Sequence, residues 1–208
     1  MKLLFEKEVS PDVKLLVYDI SCVDADYLKE FGINPLLINS KRQLQTALYK
    51  HLVAKYYNVP VEMVVKSEYN KPYIKGHNCY ISVSHTENLI AIICSEKQVV
   101  GIDIEKISER VLKIAHKFTN REEEKLIDKN DPMISTMVLW CSKEAMYKIY
   151  EKRALSFTDN IRLLDYQYNE HTQRLSGWIK NSVDAPIYCK GSYIIFQGFL
   201  LVYFIKDQ

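Results

Sequence analysis

Between residues 40 and 57 the apolar positions recur at helical spacing: Leu44, Leu48, Leu52 and Tyr56 fall at i, i+4, i+8 and i+12. Ser40 stands where a helix cap belongs. Before this stretch, "VKLLVYDI" reads as β-structure, and after it come a turn-like "NKPY" and two short strands, "CYISVSH" and "LIAIIC", joined through 86–88. "QVVGIDIE" predicts a third strand. It alternates, with Ile102 and Ile104 pointing one way and Asp103 and Glu105 the other, beside Gly101.

Beyond residue 106 the period changes. "ISERVLKIAHKF" is helical in spacing, and "FTNREEEKLI" places Glu122 three residues after Thr119, a capping-box spacing. The longest helical signal, "DPMISTMVLWCSKEAMYKIYEK", opens on Asp131-Pro132, a good cap and first-turn pair. The run "GSYIIFQGFLLVYFI" at 191–205 is too short to span a bilayer and divides into two strands around Gly198. The order of strands, helix, strands, helices, strands predicts an α+β fold. A break near residue 100 predicts an N-terminal half, 1–100, and a C-terminal half, 101–208.

Composition narrows the function classes. Twenty-eight basic against 26 acidic residues leave a net charge of +2, which argues against a dedicated nucleic-acid binder. The opening "MKLLFEKEVS", with only three apolar residues in a row before Glu6, is not expected to be a signal peptide, and five scattered cysteines without a CxxC pair suggest reduced thiols in the cytoplasm. No phosphate-binding glycine loop and no zinc spacing is found, so any metal is expected to be hard and oxygen-ligated.

Four stretches remain as candidates for chemistry. A lone Asp-x-Glu on a strand is most simply a solvent-facing edge. If Glu144 of "WCSKEAMYKIY" approaches that face, three carboxylates converge and a cation such as Mg²⁺ explains them. Trp140, Glu144 and Lys148 share one helix face, as a surface Glu–Lys pair or, because a tryptophan is rarely left exposed, as a cleft wall. His85 in "SVSHT" and Lys71 in "NKPY" are ordinary taken alone. The basic residues of the first helix and the acids of "REEEK" read as solvated faces.

In order, "NKPYI", "ISVSHT", "VGIDIEKI", "FTNREE" and "WCSKEAMYK" resemble the 4′-phosphopantetheinyl transferases of the surfactin-synthetase-activating class. The resemblance covers roughly residues 40–165. It implies two pseudo-symmetric halves, each a helix packed on a small antiparallel sheet. It implies transfer of the phosphopantetheine arm of coenzyme A to a serine of an apo acyl or peptidyl carrier protein. Asp103, Glu105 and Glu144 match the family's Mg²⁺ carboxylates, and Lys148 matches the lysine on the pyrophosphate. Lys71, Ser84 and His85 match positions at the 3′-phosphate and adenosine end. Glu144, or a metal-bound water beside it, is then the base for the serine hydroxyl. A cytoplasmic monomer, away from membranes and nucleic acid, is the corresponding expectation. The sequence departs from the pattern at Asn70, at Thr86, and in "KIYEKRALSF", which lacks the family's glycines and so is not expected to reach glycine-only backbone angles. A metal-dependent phosphodiesterase and a non-catalytic carrier-binding descendant remain as alternatives.

Overall fold

The computed structural model describes residues 1–151, 155–168 and 173–207. Two compact units divide the chain, Met1–Lys97 and Gln98–Gln208. Each sets a helix against an antiparallel sheet, the α+β arrangement that the order of elements predicts.

The first unit holds β1 (Lys2–Ser10), β2 (Val13–Asp19), α1 (Ala25–Glu30), α2 (Lys41–Tyr57), β3 (Val64–Lys66), β4 (Pro72–Ile74), β5 (Tyr80–Thr86) and β6 (Leu89–Ser95). Its main sheet runs β1-β2-β6-β5, and β3 pairs with β4. The side chain of Ser40 caps α2 by accepting from the backbone N–H of Gln43, as its position predicts. The buried stripe of α2 runs through Gln45, Leu48, Tyr49, Leu52 and Val53, whereas Tyr56 is 40% exposed and so drops out of the predicted repeat. The helix packs that stripe on Ile81, Ile90 and Ile92 of β5 and β6. Asn70 takes the left-handed backbone (φ 64°) before Lys71-Pro72, the conformation asparagine tolerates in place of glycine.

The second unit holds β7 (Val100–Lys106), α3 (Arg110–Ile114), α4 (Pro132–Tyr150), β8 (Ile161–Tyr168), β9 (Gln173–Ile179), β10 (Ile187–Phe196) and β11 (Phe199–Lys206). The sheet order is β7-β11-β10-β9-β8. Asp131 caps α4 through the N–H of Ile134, with Pro132 in the first turn. One face of α4 lies on the sheet, with Cys141, Ala145, Met146 and Ile149 buried against Leu175, Tyr193, Leu200, Val202 and Phe204. The Met, Ile, Leu, Val and Phe side chains among these each contribute about 1.5–3 kcal/mol when fully removed from water.

One expectation for this unit is corrected. The turn before α4 is not capped by Thr119, whose hydroxyl donates back to the carbonyl of Ala115. Asn120 instead forms a side-chain turn here, its oxygen accepting from the N–H groups of Glu122 and Glu123 at 3.0 and 3.1 Å. The glycine-free end of α4 still turns left-handed, at Glu151 (φ 63°), while residues 152–154 and His171 lie outside the described residues. A side chain held in that region costs roughly 1 kcal/mol relative to glycine. Glu151→Gly is therefore expected to raise the thermal midpoint by a few degrees, by about 0.5–1 kcal/mol; a calorimetric scan of the two proteins checks it.

Candidate active site

Strand β7 pairs with β11 so that Gly101 lies opposite Phe204, Asp103 opposite Val202 and Glu105 opposite Leu200. Those three partners belong to the core beneath α4. Because side chains alternate along a strand, Gly101, Asp103 and Glu105 share the helix-facing side. Ile102 and Ile104 point the other way and are fully buried. The reading of Asp103 as a solvent-facing edge residue is thus wrong: it is only 4% exposed, and Glu105 is half-buried.

Glycine at 101 is what lets the helix come so close. A Cβ there would lie 2.0 Å from the carbonyl oxygen of Ala145 and 3.0 Å from Ile149 Cγ1. With α4 resting on the strand, its residues one turn on either side of Ala145 reach the carboxylate row. Lys148 reaches down to β7, where its ammonium donates to the carbonyl of Ile102 at 2.7 Å and to Asp103 Oδ1 at 3.0 Å. The Lys148 side chain keeps about a quarter of its surface in solvent while that of Asp103 is 5% exposed, so the pair is screened less than a surface ion pair.

Glu144 is half-buried one turn before Lys148. Burial raises its carboxyl above the usual range, the charge of Asp103 raises it further, and Lys148 opposes both. Cys141, one turn earlier and fully buried, has its thiol pushed well up, first by burial, then by the charges of Asp103 and Glu105 and by a hydrogen bond with Asp103. Trp140 packs against Phe118 and Phe157, with ring centroids 5.0 and 5.8 Å away, so this tryptophan anchors the helix within the core.

Asp103, Glu144 and Lys148 are therefore brought to one place, with Glu105 on the same strand face. Lys71, Ser84 and His85 belong to the first unit: Lys71 in the turn before β4, Ser84 buried in β5, and His85 exposed next to it. Among the described residues, no group of three or more His, Cys, Asp or Glu side chains is gathered as a metal-binding cluster. The donors present still suit a hard cation. Asp103 and Glu144 are carboxylates close enough to repel, and Mg²⁺ commonly takes only one or two protein carboxylates, with water and phosphate oxygens completing its shell.

Sequence reasoning missed a second ionic feature of this helix. Lys143, read past as the neighbour of Glu144, is fully buried and bonds Glu123 Oε2 at 2.6 Å. Glu123 is one of the acids of "REEEK" and is 1% exposed, so the exposed-face reading fails for it. The available signal was a lysine amid a mostly apolar helix run, which demands an acidic partner once buried.

The raised carboxyl of Glu144 carries a stability consequence. A group whose folded pKa exceeds its unfolded one loses stability as pH rises from the unfolded value through the folded value. Glu144→Gln removes that loss. Its thermal midpoint is expected to exceed wild type at pH 7, with the gap closing as the pH falls below the ordinary carboxyl value of 4.5; melts across that range check it.

Comparison with known proteins points the same way. Residues 99–194 match the 4′-phosphopantetheinyl transferase superfamily. The chain is 32% identical over 124 residues to the 4′-phosphopantetheinyl transferase gsp of Aneurinibacillus migulanus, a match covering 55% of this chain and 52% of that protein. The chain thus spans about half the length of this curated relative. No helix among the described residues is long and apolar enough to cross a membrane. The motifs on β7 and α4 fall inside the segment 99–194 that matches the 4′-phosphopantetheinyl transferase superfamily.

Proposed function

We propose that this protein transfers the 4′-phosphopantetheine group of coenzyme A to a serine hydroxyl of an apo acyl or peptidyl carrier protein. The observation that carries the reading is the buried carboxylate Asp103 bonded to Lys148, with the charge of Asp103 felt by Glu144 one turn earlier on the same helix. Phosphoryl transfer needs charge neutralised at the pyrophosphate and a nucleophile in line.

The serine oxygen forms a bond to the pantetheine-side phosphorus. The bridging P–O bond to the adenosine side breaks, and adenosine 3′,5′-bisphosphate leaves. Glu144 takes the hydroxyl proton, a role suited to a carboxyl whose basicity burial has raised. Lys148, fixed by the Ile102 carbonyl and Asp103, presents its remaining donor surface to the pyrophosphate. Asp103 and Glu144, with Glu105 beside them, are the residues that would hold Mg²⁺, which supplies charge neutralisation at the phosphate oxygens. Lys71, Ser84 and His85 are proposed for the 3′-phosphate and adenosine end, and the cytoplasm as the setting, on the resemblance alone.

Chromatography of the nucleotide products tests the reading. Adenosine 3′,5′-bisphosphate is expected from coenzyme A only when an apo carrier is present. Release without a carrier, or cleavage of a plain phosphodiester, would favour the phosphodiesterase alternative.

A further inference from the structure

Lys143 and Glu123 take no part in the chemistry above, yet they form the most deeply buried ion pair among the described residues. An ammonium out of water is tolerated only when its donors are matched. Lys143 Nζ has three donors and three acceptors: Glu123 Oε2 at 2.6 Å, the Phe157 carbonyl at 2.6 Å and the Ile161 carbonyl at 2.9 Å. Glu123 is equally committed. Its Oε1 accepts from the N–H of Leu163 at 3.0 Å, and its Oε2 accepts from that of Asn120 at 3.3 Å. One network therefore ties α4 to the turn before it and to the chain entering β8.

Replacing such a pair by apolar residues of similar size is often neutral or stabilising, so stability alone is a weak reason for it. Its place along the helix suggests another. Residues 143, 145 and 146 are each held against a different element. Lys143 is held by the network, the Ala145 carbonyl is seated over Gly101, and Met146 is seated on Gly177, where a Cβ would lie 2.7 Å from its sulfur. Successive residues point about 100° apart. These three contacts fix the rotation of α4 about its axis, and Glu144 sits among them.

We propose that the Glu123–Lys143 network is a positioning device for the transfer reaction, holding the rotation of α4 so that Glu144 faces Asp103, while neither residue of the pair touches substrate. This inference rests on the transferase reading. The test compares the full chain with the double variant Lys143→Met/Glu123→Gln, which removes both charges at similar volume. Three quantities are read: the thermal melt, kcat and KM for coenzyme A, and Mn²⁺ affinity by electron paramagnetic resonance. The double variant is expected to melt cooperatively. Its kcat falls by about thirtyfold or more and its Mn²⁺ affinity by about tenfold, with KM for coenzyme A within about threefold of wild type. Should it fail to melt cooperatively, Glu123→Gln alone is read in the same assays with the same expectation.

A cooperative melt with kcat and Mn²⁺ affinity within twofold of wild type overturns the proposal. So does a lower midpoint with both quantities unchanged well below it, which assigns the pair to stability only. Wild-type protein that transfers nothing and binds no Mn²⁺ overturns the transferase reading itself, and the positioning role with it.

Discussion

Asp103→Asn is expected to lower phosphopantetheine transfer by about a thousandfold, the scale seen when one preorganised charge is removed from a transition state. The substitution is nearly isosteric and deletes only the negative charge. Lys148 keeps its bond to the Ile102 carbonyl at 2.7 Å, so the helix stays moored. Burial of an amide costs less than burial of a carboxylate, so the melt should be close to wild type or above it. The two measurements belong together. Lost activity with an intact melt assigns Asp103 to the chemistry, whereas retained transfer removes it from the site.

Gly101→Ala is expected to do the opposite and damage the scaffold first. The new methyl would meet a backbone atom, the Ala145 carbonyl oxygen at 2.0 Å, which cannot rotate away as a side chain can. Strand and helix must separate, across a core that includes Val202, Phe204, Met146 and Ile149. Overpacking of this kind costs typically 1–3 kcal/mol, and with backbone as the obstacle a value at or above about 3 kcal/mol is expected. That is a large share of a total stability of roughly 5–15 kcal/mol. Any folded fraction should transfer about a hundredfold more slowly, because the Glu144 and Lys148 side chains ride on the displaced helix. Gly198→Ala is the control. It has nothing within 4 Å of its would-be Cβ but sits at φ +80°, so it carries the conformational cost alone, about 1 kcal/mol. A denaturant titration of the three proteins separates the effects.

What the sequence disclosed, and what it withheld, follows the range of the interactions involved. The cap at Ser40, the Asp131-Pro132 start of α4 and the alternation of β7 depend on neighbours a few residues apart, and each is present as read. The motif spacing likewise led to the family that residues 99–194 match. Burial of Asp103 could not be read locally, because it depends on a helix some forty residues downstream lying over Gly101. The Lys143–Glu123 pair spans 20 residues, and only the tertiary fold selects Glu123 from three consecutive acids. Asn120 rather than Thr119 bonds the N–H groups at this turn because both are competent residues, and the Thr119 hydroxyl is occupied by the Ala115 carbonyl. Glu151 shows the limit of reading glycine as a requirement: a helix end can take the left-handed turn without one, at a modest cost.

The most direct measurement is the intact mass of an apo acyl carrier protein incubated with this protein, coenzyme A and Mg²⁺, with an EDTA control alongside. The account predicts a gain of one phosphopantetheine on the carrier, abolished by EDTA and absent with Asp103→Asn. No gain on either acyl or peptidyl carriers, in a protein that binds coenzyme A, would contradict it and leave a non-catalytic descendant of the fold. A gain undiminished by EDTA would contradict the role given to Asp103 and Glu144.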